Sequence, residues 1–309
     1  MGKTAFSVAL AQRLGAEILS FDARQFYQEL TIGTAKPTAA EMGGVRHHFI
    51  DSHSVTHDYS AGRFAADAGR LLRDDLFRRH PVVVAVGGSG LYQQALTDGL
   101  PEIPATDPAL RPALIGRLEQ DGLAALVAEL QTLDPAAWAA IDRQNPQRVL
   151  RALEVTLGTG RPFSSYRMTP AGNPDSPNSL NLNSPDSPAA PTETRPWRTV
   201  VVGLHRARPD LYARCDARVD QMLAAGLEAE ARALYPQRHL NALQTVGYQE
   251  WWPYFEGHYD RAEAVRLLQR NTRRYAKRQL TWFGRDARFR WFAPDGGIGP
   301  VLALAGLGG

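Results

Sequence analysis

The sequence predicts an α/β fold in which helices flank a parallel sheet. Over the first hundred residues, short runs of β-forming residues alternate with helical patterns, as expected when helices connect parallel strands. The run 82–86 is apolar at every position, which is typical of a central parallel strand. At the start of the chain, Gly2-Lys3-Thr4 leads into a stripe of apolar residues at helical spacing. This order of loop and helix indicates a phosphate-binding site at a helix N-terminus.

The tripeptide Gly2-Lys3-Thr4 matches the end of the motif G-x-x-x-x-G-K-[ST], the P-loop, whose backbone N–H groups surround a polyphosphate. The predicted fold class is therefore a P-loop NTPase-like parallel sheet flanked by helices. Because three residues alone occur by chance, the tripeptide gains weight from the helix predicted after it. The apolar stripe of that helix consists of Ala5, Phe6, Val8, Ala9, Leu10 and Leu14.

The remaining elements follow in order along the chain. Strands are predicted at 17–20, 48–50, 82–86 and 199–204, and Ser60 is the predicted N-cap of a helix that runs to Arg79. Residues 107–159 show helical patterns only, with Asp107, Asp134 and Asn145 each placed before a proline, as N-caps are. Residues 168–196 are rich in Pro, Ser and Asn, which predicts a flexible loop without chemistry. Long helices are predicted at 209–234 and 260–283.

These elements suggest a division of the chain into four segments. The first is a catalytic core at 1–106, the second an all-helical insertion at 107–165, and the third a flexible insert at 166–197. The fourth, 198–309, completes the core and ends in basic helices.

Composition limits the class of protein. The single cysteine, Cys215, excludes an internal disulfide and a cysteine-based zinc site, which fits a reducing cytoplasm. The sequence contains no apolar run of 18 residues, so we expect no membrane-spanning helix. The histidines of 47–57 match no common spacing of metal ligands, and we expect no metal site there. We expect a cytoplasmic monomer.

Charge is concentrated near the C-terminus. Residues 264–290 hold nine Lys or Arg and one acid, Asp286, whereas the whole chain has a net charge of +3. Five of these cations recur at spacings of three and four on one helix, interleaved with Tyr275, Trp282 and Phe283. Such a stripe indicates a polyanionic partner, and RNA in particular, because the rings can stack on unpaired bases. The stripe consists of Arg266, Arg270, Arg273, Arg274 and Lys277.

Two further segments lie where chemistry is expected. Asp22 follows the first strand, and ligands collect at the carboxyl ends of parallel strands, so its carboxylate could accept a proton from the attacking group. A capping role for Asp22 in the next turn stays open. The segment Gly87-Gly88-Ser89-Gly90 leaves a neighbouring strand, and its N–H groups and hydroxyl could reach a diphosphate or the nucleophile. The strand 82–86 lacks the terminal Asp that holds Mg²⁺ in many ATPases.

Segments spread over nearly the whole chain, in one order, carry a family resemblance. They are Gly2–Thr4, Asp22–Tyr27, Ile32–Pro37, Gly44–Asp51, Tyr59–Ser60, Val86–Tyr92, Asn145–Arg148, Arg151–Val155, Arg218–Met222, Val246–Tyr248 and Asn271–Phe283. Together they resemble the tRNA dimethylallyltransferases, also called tRNA isopentenyltransferases. The resemblance implies transfer of a dimethylallyl group from dimethylallyl diphosphate to N6 of the adenosine just 3′ of the anticodon, with release of diphosphate.

The resemblance also implies roles for individual residues. Asp22 and Ser89 are the implied catalytic residues, and Thr4 the implied ligand of Mg²⁺. The implied diphosphate-binding residues are Gly2, Lys3, Thr4, Arg208 and Arg218. The implied contacts with the tRNA anticodon stem-loop are Asp22, Ala23, Arg24, Gln25, Ser89, Arg111, Gln147, Arg148, Val149, Leu150, Arg151, Lys277, Arg278, Gln279 and Trp282.

The chain departs from the family pattern at three places. Relatives carry a strand and the first half of the loop before Gly2, so we expect the first strand and half of the P-loop to be missing here. Ala23 stands where a serine is usual, and the insert 168–196 is long. Two alternatives stay open: a small-molecule or nucleotide kinase that shares the phosphate loop, and a tRNA-binding relative without activity.

Overall fold

The computed structural model describes residues 2–166 and 197–308. Contacts divide the chain into one unit formed by residues 1–99 and 197–309 and a second unit formed by residues 100–196. The predicted flexible loop at 168–196 lies outside the described residues.

The first unit is built on short parallel strands. Strand β1 (Ile18–Ser20) lies between β2 (His47–His48) and β3 (Val84–Val86), and β4 (Val202–Leu204) pairs with β5 (Arg290–Phe292). All of these pairs are parallel, as the sequence predicts. Strand β2 ends earlier than predicted because Phe49 has a φ of 62°, which an extended strand does not allow. Strand β5 was not predicted.

Among the described residues, β3 and β4 are two of the four strands that have an outer edge without a partner strand, the others being β2 and β5. Strand β3 pairs only with β1, and β4 pairs only with β5. Between them lies a groove of about 120 Å³ that is lined mainly by apolar residues, among them Ala85, Leu96, Val202 and Phe283. A sheet edge next to such a groove presents free backbone N–H and C=O groups.

Helices cover the sheet of the first unit. They are α1 (Lys3–Leu14), α2 (Ala39–Met42), α3 (Ala61–Leu71), α4 (Phe77–Arg79) and α5 (Gly90–Thr97), and in the second part of the unit α9 (Arg208–Ala224), α10 (Leu227–Leu234), α11 (Trp252–Phe255), α12 (Arg261–Phe283) and α13 (Gly299–Ala305). The helix predicted from Ser60 to Arg79 is confirmed, with a π-helical turn between α3 and α4. The helix predicted at 209–234 is two helices, because Gly226 has a φ of 98° and ends the first of them.

Apolar contacts fix α1 and α9 in the first unit. Val8 of the predicted stripe packs, together with Ala11, against Ile18 and Val84 of the sheet, whereas Ala5 and Ala9 of that stripe are exposed. Leu211 and Cys215 of α9 pack against Ala276 of α12. These contacts hold α1 against the sheet and α9 against α12.

The second unit contains α6 (Leu110–Leu133), α7 (Pro135–Ala140) and α8 (Pro146–Thr159). Its core contains Leu114, Leu126, Leu130, Val149, Leu150 and Leu153. The predicted N-caps Asp134 and Asn145 are confirmed by side-chain bonds to backbone N–H groups. The cap predicted at Asp107 is wrong, because α6 begins only at Leu110, with Ala109 as its N-cap.

No helix in the described ranges is long and apolar enough to cross a lipid bilayer.

Candidate active site

A cavity of about 180 Å³ lies in the first unit at the carboxyl ends of β1 and β3. The sheet edge, the N-terminus of α1, the loop after Leu30, α9 and α12 each contribute to its wall. Seven residues that the sequence nominates line it: Gly2, Lys3, Thr4, Asp22, Gln25, Arg218 and Gln279. The structure therefore brings residues from both ends of the chain to one place.

The carboxylate of Asp22 is held in a turn directly after β1. Its Oδ1 accepts a hydrogen bond from the Arg24 N–H at 2.9 Å and a longer one from the Gln25 N–H at 3.4 Å. The side chain therefore stabilises the turn, as the capping interpretation expects, and it also lines the cavity, where its catalytic role stays a prediction. One oxygen is used by the turn, which leaves the other available to accept a proton or hydrogen bond.

Ser89 joins the two strand ends. It occupies the N-cap position of α5, but its side chain does not cap that helix. Instead, its Oγ accepts a hydrogen bond from the Ala23 N–H at 2.8 Å. Ser89 is not among the residues that line the cavity, and the contact shows it next to the Asp22 turn rather than at the cavity wall.

Three cations line the cavity together with a single carboxylate. Arg214 and Arg218 lie one turn apart on α9, and Lys3 is the first residue of α1. Within the described ranges, no acidic side chain forms an ion pair with any of the three. Asp22 is the one carboxylate in the wall. A positive cavity at a helix N-terminus is suited to a phosphorylated or diphosphorylated ligand.

The electrostatic environment of Lys3 agrees with this assignment. Burial lowers the pKa of its ammonium group below the ordinary value, and the neighbouring Arg218 lowers it further, whereas Asp22 acts in the opposite direction. A partly desolvated ammonium without a paired anion is poised to gain from an anionic ligand.

Thr4 is the predicted magnesium ligand, and it also lines the cavity. Other oxygen atoms in the cavity wall that could act as ligands include the hydroxyls of Ser7 and Ser20 and the carboxylate of Asp22. This set fits Mg²⁺, which is commonly bound by one or two protein oxygens together with substrate phosphates and water. Groups of three or more His, Cys, Asp or Glu that could hold a metal do not occur in the described part of the chain.

Arg208 takes a different position from the one that the resemblance implies. It begins α9 and is not among the residues that line the cavity, whereas Arg214 is. The reason is helical spacing, since Arg214 lies four residues before Arg218 and shares its face. Sequence reasoning missed Arg214, although this spacing could have identified it.

The loop at 31–37 forms another wall of the cavity through Thr34, Ala35 and Pro37. Lys36 of this loop does not enter the cavity. Its Nζ donates to the Tyr27 carbonyl at 2.8 Å and pairs with Asp51, and the side chain is 4% exposed. Lys36 therefore stabilises the loop.

The end of α12 packs directly on the glycine segment of β3. Gln279 Nε2 donates to the Gly88 carbonyl at 2.7 Å. A Cβ on Gly90 would lie 2.1 Å from Trp282 Nε1, so a side chain there would displace the indole. Gln279 and Trp282, two implied tRNA contacts, thus adjoin the segment that holds Ser89.

Tyr275, which the sequence predicts as a stacking ring of the basic stripe, also lines the cavity, a position that sequence reasoning did not assign to it. Shielding from solvent and the nearby Asp22 carboxylate raise the pKa of its hydroxyl. The sequence feature that could have placed Tyr275 in the cavity wall is its position one helical turn before Gln279, on the same face of α12.

The basic stripe on α12 is less uniform than the sequence suggests. Arg266 is paired with Glu263 at 2.6 Å, and Arg273 is paired with Asp216 of α9. In contrast, Arg274, Lys277 and Arg278 are exposed, and no described acid pairs with them. The surface available to a polyanion is therefore the last half of α12.

The implied tRNA contacts of the second unit form a smaller group than expected. Arg111 donates to Gln147 at 2.7 Å and to Glu154 at 2.8 Å, and Arg151 pairs with the same Glu154. Arg148 is exposed. The prediction is wrong for the side chains of Val149 and Leu150, which are 0% and 1% exposed in the core of this unit.

Within the described residues, a parallel sheet carries at its carboxyl edge a helix N-terminus and cations without an acidic partner, an arrangement typical of the class of proteins that bind phosphorylated ligands. The family model described as IPP transferase matches residues 25–286 of the chain. A tRNA dimethylallyltransferase of Cytophaga hutchinsonii is 47% identical over 293 residues, which are 95% of this chain and 89% of that protein. A tRNA dimethylallyltransferase of Porphyromonas gingivalis is 45% identical over 98% of this chain and 94% of its own.

Solved structures agree with these relatives. The full-length tRNA isopentenylpyrophosphate transferase of Bacillus halodurans superposes with a TM-score of 0.63 at 37% identity, covering 94% of this chain and 86% of that one. The chain belongs to the IPP transferase family. The matches do not support the kinase alternative or the alternative of a tRNA-binding relative without activity.

Proposed function

We propose that the protein transfers a dimethylallyl group from dimethylallyl diphosphate to N6 of the adenosine 3′ of the anticodon in tRNA. The observation that carries this proposal is the cavity whose described wall contains three cations, Lys3, Arg214 and Arg218, and one carboxylate, Asp22. The relatives named above are tRNA dimethylallyltransferases. The cations can stabilise the negative charge of a diphosphate, and the carboxylate can accept a proton from an amine nucleophile.

The reaction breaks the allylic C–O bond of dimethylallyl diphosphate and forms a bond between that carbon and N6. Negative charge develops on the leaving diphosphate, where Lys3, Arg218 and the first N–H groups of α1 would stabilise it. The free oxygen of Asp22 accepts one proton of N6, so the product is a neutral secondary amine and diphosphate. Ser89 holds the Asp22 turn through the Ala23 N–H.

Mg²⁺ would be held by Thr4 and by oxygens of the diphosphate. When bound, it supplies charge neutralisation of the leaving group. The protein's part is to present the Thr4 hydroxyl beside Lys3 at the N-terminus of α1.

The target adenine has to leave the anticodon stack to reach a cavity at a sheet edge, and this requires contacts with the flanking nucleotides. Exposed cations that could supply them lie on both units: Arg274, Lys277 and Arg278 on α12, and Arg148 and Arg151 on α8. We propose that both groups bind the anticodon stem-loop, that the protein acts as a monomer, and that it acts in the cytoplasm.

We also propose that the groove between β3 and β4 accepts one more parallel strand leading into Gly2. The free edges of two parallel strands and the apolar lining support this proposal. Such a strand would join the two sheets and place further N–H groups of the phosphate-binding loop at the cavity. Extending the chain in frame upstream of Gly2 should then raise both the melting temperature and the rate of transfer.

The proposal is tested by incubating the protein with dimethylallyl diphosphate, Mg²⁺ and an unmodified tRNA that has adenosine at the target position. We expect N6-dimethylallyladenosine in the digested tRNA and release of one diphosphate for each group transferred. A tRNA with guanosine at that position is the matched control. Binding of tRNA at low salt without any product would contradict the proposed activity of this chain.

A further inference from the structure

We propose that Glu230 is a positioning residue that fixes the 31–35 loop and, through Gln25, the turn that carries Asp22. Glu230 lies on α10, roughly two hundred residues from this loop in sequence, and is not in the cavity wall. The structural part of the proposal is independent of the reaction. Its catalytic consequence rests on the proposed function.

The carboxylate of Glu230 accepts hydrogen bonds from consecutive backbone N–H groups of the loop. Oε1 accepts from Gly33 N at 2.9 Å, Oε2 accepts from Ile32 N at 2.9 Å, and Thr31 N lies 3.3 Å from Oε2. Charge-assisted bonds of this kind are about twice as strong as neutral ones. One side chain therefore fixes the path of three residues.

Tyr248 completes this attachment from the other side. Its hydroxyl donates to Glu230 Oε1 at 2.7 Å, and its ring is fully buried. A Cβ on Gly33 would lie 2.5 Å from the Tyr248 ring, so the loop can approach the ring only with glycine at this position. The loop is thus held between a buried ring and a carboxylate.

The fixed loop is connected to Asp22 through Gln25. The amide Nε2 of Gln25 donates to the carbonyls of Thr34 and Ala35, both at 3.1 Å. The backbone N–H of the same Gln25 approaches Asp22 Oδ1. A displaced loop would release this amide and, with it, one side of the Asp22 turn.

Backbone strain in the loop explains why such an attachment is needed. Ala35 has a φ of 49°, a left-handed conformation that costs an alanine about 1 kcal/mol or more. The surrounding contacts have to hold this conformation, and Thr34 and Ala35 line the cavity.

Glu230→Gln tests the proposal, with Glu228→Gln as the matched control. The glutamine keeps the volume of the side chain but replaces one acceptor oxygen by a donor that faces N–H groups. Glu228 lies on the same helix and carries the same charge, but it pairs with Arg232 and Arg261 and not with the loop.

The first measurement is amide hydrogen exchange over residues 22–37, which requires no activity. Glu230→Gln should accelerate exchange at 31–35 and at 24–25, whereas Glu228→Gln should leave both segments unchanged. Faster exchange at 31–35 with unchanged exchange at 24–25 would overturn the link to Asp22. Unchanged exchange in both segments would overturn the proposal altogether.

The second measurement is steady-state transfer at a temperature where all variants are folded. We expect Glu230→Gln to lower kcat about 10- to 100-fold with little change in tRNA affinity, since small displacements of a reacting group have effects of this size. In a double-mutant cycle, the combined loss of kcat in Glu230→Gln and Gln25→Ala should be smaller than the product of the two single losses. Glu228→Gln should leave kcat unchanged. Independent, multiplicative losses would show that Glu230 does not act through Gln25. If wild-type protein transfers nothing, the proposed function fails, and the exchange result still decides the structural claim.

Discussion

At the scale of single residues, the chemistry of the site follows from which charges are paired. Lys36 is bonded to two backbone carbonyls and to Asp51, so it stabilises the fold. Lys3, in contrast, lines the cavity without an acidic partner among the described residues. Only the fold distinguishes the structural lysine from the one available to a ligand.

Asp22→Asn should abolish transfer while leaving tRNA binding nearly intact. The asparagine oxygen can still accept the Arg24 N–H, so the turn is retained, but the amide cannot take the proton from N6. We expect kcat to fall by about 100-fold or more. Single-turnover transfer and tRNA affinity should be measured on the same preparation. Transfer at the wild-type rate would show that another group accepts the proton.

The affinity for dimethylallyl diphosphate should decrease as the pH is raised through the lowered pKa of Lys3. The charged ammonium favours diphosphate, and burial makes this group lose its proton below the pH that is ordinary for lysine. Cys215 and Tyr275 in the same wall have raised pKa values, so both are neutral over more of this range than usual. Lys3→Arg, which stays charged, should give a flat pH profile of KM. An equal pH dependence of KM in both proteins would show that a group other than Lys3 causes it.

At the scale of elements, local signals predicted the helices better than the strands. The side-chain caps predicted at Ser60, Asp134 and Asn145 are local chemistry, and all three are present, whereas the cap predicted at Asp107 is wrong. Strand β5 has three residues, 290–292, and exists only because it pairs with β4, which lies far away in sequence. Its existence depends on tertiary contacts that no local pattern encodes.

In the candidate site too, residues marked by local sequence were predicted, and residues that depend on tertiary contacts were not. Lys3, Asp22 and Gln279 were recognised from motifs, because each lies in a segment with a distinctive local sequence. Glu230 was not, since its partners are backbone N–H groups, which any sequence possesses. A side chain that binds only backbone groups requires no particular residue type in its partner, so the sequence contains no complementary residue by which to recognise it.

Lys277→Ala should weaken tRNA binding and reduce the slope of log affinity against log salt by about 1. Lys277 is exposed at the end of α12 and has no acidic partner within the described ranges. Arg266→Ala is the matched control on the same helix, because Glu263 already neutralises that arginine. We expect a much smaller change of slope for the control. Equal slopes for the two variants would mean that the end of α12 does not contact phosphates.

At the scale of the whole molecule, the two ends of the strands in the first unit differ in role. Residues that stabilise the sheet lie at one end, and the candidate catalytic carboxylate lies at the other. Asp22 follows the last residue of β1, whereas Glu17 precedes the first. Glu17 contacts His48, Arg79 and His80, and thereby connects the starts of β1 and β3 with the end of β2. The Arg79–Glu17 ion pair lies at the N-terminal ends of these strands, whereas the cations of the cavity at the carboxyl ends have no acidic partner among the described residues.

Glu17→Gln should therefore lower stability without lowering kcat at a permissive temperature. Hydrogen bonds from Arg79, and then from His48 and His80, lower the pKa of this carboxyl to about 2 from an ordinary value of 4.5. The shift corresponds to about 3 kcal/mol of unfolding free energy, since one pKa unit is worth about 1.4 kcal/mol. This contribution is complete above pH 4.5 and is lost as the pH falls towards 2, because the carboxyl is then protonated in both states.

Denaturant unfolding of wild type and Glu17→Gln between pH 7 and pH 2 measures this effect. The difference in unfolding free energy should be largest near neutral pH and should shrink below pH 4.5. Asp75→Asn is the control, because Asp75 binds the same Arg79 but is exposed and should change stability far less. A difference that does not vary with pH would show that Glu17 stabilises the sheet through packing and not through its charge.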